Sequence, residues 1–130
     1  MTEQTLKGYL EGIVSADVLN ADLVNTVSRG RDVSYYKISD VKNGSKFIIT
    51  PMHLVKLCRD IIQQRISLEN LDPIVFALEM SDYFSWDLET SEGARVNDAI
   101  SNWVNRESNN PVTIQYLQYC AFYLETGEHR

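Results

Sequence analysis

Apolar residues recur along the chain at two different spacings. From the N-terminus they fall at Leu6, Tyr9, Leu10, Ile13 and Val14, a stripe of period 3.6 that predicts a helix with Thr5 placed to cap it. A second stripe at Leu19, Leu23, Val24 and Val27 predicts further helix ending near Gly30. Ser15 to Asp17 leaves open whether these stripes belong to one helix or two. The next stretch, "DVSYYKISDVKNGSKFIIT", changes character, with β-branched and aromatic residues on both sides of Asn43-Gly44. That dipeptide tolerates positive φ and is the strongest short-range signal for a two-residue hairpin turn. Strands are predicted at about 33–40 and 46–50. A lone hairpin is marginal in water, so this one must pack on the helices or pair with another edge.

Beyond Thr50 the pattern is helical to the end. "TPMHLVKLCRDIIQQRI" opens with Thr50 as N-cap and Pro51 at the first helical position, where a missing N–H costs nothing. Its apolar stripe is Leu54, Val55, Cys58, Ile61 and Ile62. "SLENLDPIVFALEMS" offers Ser67 and then Asp72-Pro73 as starts, with Leu71, Ile74, Val75 and Leu78 on one side. "EGARVNDAISNWVNRE" places Val96, Ile100, Trp103 and Val104 on one face. Turn residues Asn109, Asn110 and Pro111 precede a cap at Thr113, and the last stripe, Ile114, Leu117, Ala121 and Leu124, closes at Gly127. The predicted fold class is mostly α (α+β): a single domain over residues 1–130, of about five helices with one small antiparallel β-hairpin near residues 33–50.

Composition adds limits. A chain of 130 residues has a common size for one domain. With 44% apolar and 23% charged residues, it matches ordinary globular usage. No apolar run approaches the ~20 residues that span a bilayer, and "MTEQTLKGYLEG" lacks the basic-then-apolar layout of a signal peptide, so a cytoplasmic location is expected. Cys58 and Cys120 both occupy apolar helical positions, where a reduced thiol acts as a small hydrophobe.

Charge changes the picture more. The net charge is −6, yet between Ile66 and Ala94 stand seven acids (Glu69, Asp72, Glu79, Asp82, Asp87, Glu89, Glu92) and no base, against 11 acids and 12 bases elsewhere. One segment therefore carries −7 and the remainder +1. Such a field repels phosphates, which argues against direct nucleic-acid binding and fits a basic protein partner.

Catalytic chemistry has little foothold. His53 and His129 are the only near-neutral proton carriers; His129 sits beside the terminus, and no Cys, Ser or acid is spaced to make His53 a base, so a solvent-facing or structural role is expected for it. The sequence carries no CxxC, glycine-rich phosphate loop, G-x-S-x-G or H-E-x-x-H motif. Asp87 and Glu89 could do acid–base work only in a buried cleft that raised one pKa. The reading is a non-enzyme with no catalytic residue, no cofactor and no metal.

The main functional lead is "LEMSDYFSWDLETSEG", which concentrates Tyr83, Phe84 and Trp86 among five carboxylates. In one reading the rings fold inward to cover the core and the acids face water; in the other some rings stay outside as interface anchors. The candidate partner-binding residues are Glu79, Asp82, Tyr83, Trp86, Asp87, Glu89 and Glu92. Tyr116, Tyr119, Phe122 and Tyr123 raise a parallel question, because they spread around the last helix and cannot all be buried on its Ile114–Leu124 side.

Two passages, "ITPMHLVKLCRDIIQQRISLENLDPIVFALEMSDYFSWD" and "AISNWVNRESNNPVTIQYLQYCAFYL", resemble the small, mostly helical immunity proteins that bacteria pair with contact-dependent growth-inhibition and related polymorphic toxins. The likeness lies in the TP-introduced helix, the I-S-x-x-x-L phrase, the acidic aromatic segment and the N-P loop before a last helix. It covers about residues 48–125 and leaves the N-terminal third unmatched. The resemblance implies a cytoplasmic protein that neutralises a cognate toxin domain, a basic nuclease, by protein–protein contact. By the same analogy Asp82, Asp87, Glu89 and Glu92 imitate nucleic-acid phosphates. The alternative is a non-catalytic adaptor or regulatory protein unrelated to toxins; a hydrolase using the same carboxylates would need a concave pocket instead.

Overall fold

The computed structural model describes residues 1–24, 27–29, 34–36, 46–81, 83–104 and 112–128. Among them are six α-helices, one more than the sequence predicts: α1 (Glu3–Leu10), α2 (Ala16–Leu23), α3 (Pro51–Ile62), α4 (Leu71–Met80), α5 (Ser91–Val104) and α6 (Ile114–Thr126). The extra helix arises because the first two stripes are separate. Thr2, not Thr5, caps α1, its Oγ1 accepting from the Thr5 N–H at 3.0 Å. The chain turns through Gly12 in the left-handed region, and Ser15 caps α2 through Oγ and the Val18 N–H at 3.3 Å. Ile13 falls in that turn and is 77% exposed, although its spacing put it in the stripe.

The strands correct the hairpin. Among the described residues segment 46–50 pairs elsewhere than with 34–36: β3 (Phe47–Ile48) runs parallel to β4 (Phe84–Ser85), with Phe47 opposite Phe84 and Ile48 opposite Ser85. An antiparallel pair does form, but upstream, between β1 (Val27–Arg29) and β2 (Ser34–Tyr36). Asn43-Gly44 lies outside the described residues. Local turn propensity competed here with a distant partner. Phe47 and Phe84 meet edge to face at 6.1 Å, and the Phe47 and Ile49 N–H groups donate to Tyr83 and Ser85 carbonyls at 2.7 and 2.8 Å.

Helix α3 lies at the centre and packs most extensively on α6, with α5 against both and α4 against α5; α1 joins α2 to α3. Thr50 and Pro51 open α3 as the sequence predicts, and Leu54, Val55, Leu57, Cys58 and Ile61 are buried along it. A 3-10 turn at Leu68–Asn70 leads into α4, which buries Leu71, Ile74, Val75, Ala77 and Leu78. In α5 the inward face is Val96, Ala99, Ile100 and Trp103, while Val104 is exposed. Thr113 caps α6, whose Leu117, Cys120, Ala121 and Leu124 are buried while Ile114 stays outside, and Gly127 ends it at φ 76°.

Among the described residues two carboxylates sit inside. Asp60 of α3 is 5% exposed; the Tyr9 hydroxyl donates to its Oδ2, Arg65 Nη1 lies 3.3 Å from Oδ1, and Lys56 Nζ lies 3.7 Å from Oδ2. The same Lys56 ammonium stands 4.7 Å from the centre of the Tyr9 ring. Burial, then the bond to Asp60, pushes the Tyr9 phenol far above its ordinary range. Glu3 is also buried and accepts from Ser81 Oγ at 2.7 Å, which ties α1 to the end of α4. Trp103 is the unsatisfied counterpart: among the described residues its indole N–H has no partner.

Candidate functional site

Ser81 leaves α4 in an extended conformation and accepts from the Tyr83 N–H at 2.9 Å, which starts the path of the acidic aromatic segment. The segment then runs as β4 beside β3, which turns Phe84 into the core. Phe84 is 4% exposed; Tyr83 is half-buried, 5.2 Å from the Phe84 ring and 6.4 Å from the Phe47 ring. Trp86 is half-buried as well and donates its indole N–H to Asn97 Oδ1 of α5 at 3.3 Å. The rings are thus largely packing, and each of Tyr83 and Trp86 keeps part of its surface accessible.

A tight turn then carries the acids outward. The Glu89 N–H donates to Asp87 Oδ1 at 2.9 Å, and the Thr90 hydroxyl donates to the Asp87 carbonyl at 2.9 Å. The Thr90 hydroxyl also accepts from the Gly93 N–H at 2.9 Å, satisfying one free donor of the first turn of α5. Gly93 passes so close to the Asp87 backbone that a Cβ there would stand 1.7 Å from the Asp87 carbonyl oxygen. Asp87 is therefore both an exposed charge and the brace of its own turn.

The carboxylates of the segment face water. Glu69, Asp72, Glu79, Asp87, Glu89 and Glu92 are all exposed. Among the described residues the ion pairs are Lys7–Glu11, Lys56–Asp60, Arg65–Asp60 and Arg59–Glu125, so none of these six is neutralised by one. Asp82 lies outside the described residues. Two apolar side chains that the sequence reading passed over stand beside them: Met80 is 65% exposed and Leu88 62%. Their flanking acids, Glu79, Asp87 and Glu89, hid them in any charge count. The product is an exposed segment with apolar points among unpaired negative charges, the arrangement that complementary partners use for encounter and anchoring.

Of the remaining candidates for chemistry, the described ones are engaged in capping or packing. His53 is half-buried; its Nδ1 accepts from the Thr50 N–H at 3.0 Å, closing a reciprocal cap at the start of α3, and its ring lies 5.1 Å from that of Phe47. Burial lowers its pKa from the ordinary value, with Glu11 partly opposing. His129 lies outside the described residues. Cys58 and Cys120 are buried and form no disulfide with each other, and burial pushes the Cys58 thiol well above its usual range. Among the described residues no three His, Cys, Asp or Glu side chains converge as a metal site would require.

A concave feature lies between α5 and α6. This cleft of about 200 Å³ is lined by Asp98 and Asn102 from α5 and by Tyr116, Tyr119 and Tyr123 from α6; buried Ala99 and Cys120 also contribute to it. The Tyr116 and Tyr119 rings stack at 6.3 Å, and the Tyr123 hydroxyl donates to Asp98 Oδ2 at 2.8 Å. The sequence left open where the rings of the last helix that could not all be buried on its Ile114–Leu124 side would go; Asp98 and Asn102, one turn apart on another helix, gave no signal of their own.

Comparison with protein-family models, with curated proteins and with solved structures finds no match to the chain. Function must be argued from the geometry.

Proposed function

We propose that the protein is a cytoplasmic, non-catalytic inhibitor of the immunity type, which binds a cognate toxin domain, a basic nuclease, through the acidic segment between Glu79 and Glu92. The observation that carries this reading is the exposure of Glu79, Asp87, Glu89 and Glu92, none of them in an ion pair among the described residues, in the same segment as exposed Met80 and Leu88. Unpaired like charges stabilise no fold; their neighbours repel them, and a cationic partner relieves that repulsion. The contribution of Tyr83 and Trp86 is chiefly to hold the segment in place. Their accessible edges, with Met80 and Leu88, supply apolar contact at the centre of the charges.

The variant that tests this must change charge without touching the turn. Asp87 is unsuitable because its side chain holds the Glu89 N–H, and Glu92 stands in the first turn of α5, where a negative charge favours the helix. Glu79→Lys with Glu89→Lys avoids both and takes the net charge from −6 to −2, each reversal adding two. The wild-type protein, used as bait in its source cells, is expected to retain a basic protein whose nuclease activity returns on dissociation. The double variant should capture that protein more slowly at low salt, by roughly tenfold or more in on-rate. A captured partner without toxic activity would make the protein an adaptor, and an unchanged on-rate would remove this segment from the interface.

A further inference from the structure

We infer that His53 makes the start of α3 a proton-operated latch: a proton taken up at Nδ1 breaks the bond from the Thr50 N–H and loosens the β3–β4 pair that anchors the acidic aromatic segment. The inference concerns how that segment is held, so it stands whether or not the segment binds a nuclease.

The residue at the third helical position decides what kind of cap this is. In the usual reciprocal cap that position is Glu or Gln, whose oxygen accepts from the N-cap N–H. A glutamate keeps its charge and that role down to about pH 4, whereas an imidazole nitrogen accepts only while it is unprotonated. In α3 the position is His53, and the Thr50 N–H donates to its Nδ1 at 3.0 Å. A backbone N–H can only donate, so the neutral ring carries its hydrogen on Nε2 and Nδ1 is the acceptor. A proton added at Nδ1 sets one N–H against another. The Thr50 hydroxyl oxygen, 3.3 Å from Nδ1, is the acceptor to which the new N–H turns. The two protonation states therefore favour two ring positions.

The surroundings set the balance between them. Burial disfavours the charged ring, and Glu11 at the end of α1, itself paired with Lys7 at 3.5 Å, opposes that effect in part. The positive end of the α3 dipole also disfavours a cation in its first turn. Further along α3, Lys56 is turned toward Asp60 and the Tyr9 ring. From β3 the imidazole meets Phe47, with Lys46 beside it exposed to water, and beyond Phe47 lies the Tyr83 phenol. The capped state is thus the one present at neutral pH, and it gives way only below the ordinary histidine value of 6.5.

Geometry carries the change to the acidic segment. The imidazole lies 5.1 Å from the Phe47 ring, which in turn meets the Tyr83 ring at 6.4 Å and the Phe84 ring at 6.1 Å. The Phe47 N–H donates to the Tyr83 carbonyl at 2.7 Å, and Ile49, immediately before Thr50, donates to the Ser85 carbonyl at 2.8 Å. With two residues each, β3 and β4 are too short to hold without these side chains. A turn of the His53 ring withdraws support from the backbone and from the aromatic side of the pair together. Residues Trp86 to Glu92 follow directly in the chain.

The test is an NMR titration of the full chain from about pH 7.5 to about pH 4.5, which spans the histidine range. It follows the His53 ring, the Phe47, Ile49 and Thr50 amides, and the Tyr83 and Phe84 rings. All should titrate together, with one midpoint below about 6.5. Below that midpoint hydrogen exchange of the Ile49 amide, referred to that of Leu57 within α3, should quicken by roughly tenfold. His53→Gln puts an amide oxygen, which does not titrate, in the acceptor's place; it should abolish the pH response of Thr50 and Ile49 while keeping exchange slow. His53→Ala should exchange fast at both ends of the range. A Thr50 amide indifferent to the protonation of the ring, β3 and β4 signals that stay put while the ring titrates, an unchanged pH response in His53→Gln, or a ring that stays neutral until the whole chain unfolds would each overturn the latch. None of these readouts involves a partner, so each outcome leaves the inhibitor reading to its own test.

Discussion

Replacing Gly93 by alanine sets two physical effects of opposite sign against each other. Gly93 lies in the first turn of α5, where glycine is about 1 kcal/mol worse than alanine because its backbone loses more freedom on folding. On propensity alone Gly93→Ala should stabilise the protein. The packing says otherwise: an added Cβ would stand 1.7 Å from the Asp87 carbonyl oxygen, 2.5 Å from its carbon and 2.9 Å from its nitrogen. Ordinary contact begins near 3.4 Å, so helix and turn must separate by 1.7 Å, and the obstacle is backbone that cannot rotate away. Overpacking of this kind costs about 1–3 kcal/mol, and a backbone obstacle belongs at the upper end. The net effect is a loss of about 2 kcal/mol after the propensity gain, which for a chain of this length lowers the thermal midpoint by roughly 6–8 °C. Urea unfolding followed by circular dichroism, together with calorimetry, measures it. Amide signals of residues 87–90 should move more than those of α3 and α6, because the turn is the less anchored side. A variant as stable as the wild type, or more so, would refute the close approach and with it the account of how the acidic turn is held.

Three further outcomes are expected. Tyr9→Phe removes the hydroxyl that donates to buried Asp60 and should cost about 1.5–3 kcal/mol in urea unfolding, the range for a bond to a charged group; a loss below about 0.5 kcal/mol would show that Lys56 and Arg65 suffice. His53, whose pKa is lowered by burial, takes up its proton more readily when unfolded, so its contribution to stability is complete above pH ~6.5 and declines as pH falls below that value toward the folded pKa. An NMR titration giving His53 a pKa of 6.5 or higher would contradict the Nδ1 acceptor role. Glu79→Lys with Glu89→Lys should leave stability within about 0.5 kcal/mol per site, since both side chains are exposed and neither takes part in an ion pair among the described residues; a larger loss would mean that these carboxylates serve the fold.

Local signals were legible. Thr50, Pro51, Thr113 and Gly127 mark the ends of α3 and α6 because capping depends on the few residues around a terminus, and the stripes of α3, α4 and α5 follow from a period that any buried helix must have. The exposure of the described acids between Glu69 and Glu92 also followed, since unpaired charges stay in water. Pairing did not follow. Asn43-Gly44 suggested a partner for segment 46–50 in the strand before it, yet β3 joins β4, brought from beyond α4 by the packing of Phe47 on Phe84. Parallel pairing leaves no turn between its strands, so no short-range pattern announces it.

The sequence by itself determined that the protein is mostly helical, that its negative charge is concentrated in one segment, and that large rings accompany it, because these depend on composition and short-range periodicity. Tertiary structure decided that Phe84 goes inward while Tyr83 and Trp86 stay partly accessible, that Asp60 is buried among Tyr9, Lys56 and Arg65, and that Asp98 meets three tyrosines across two helices. The physical reason is common to all three: burial and ion pairing are set by which distant surfaces meet, and a residue's own neighbours in the chain do not specify them.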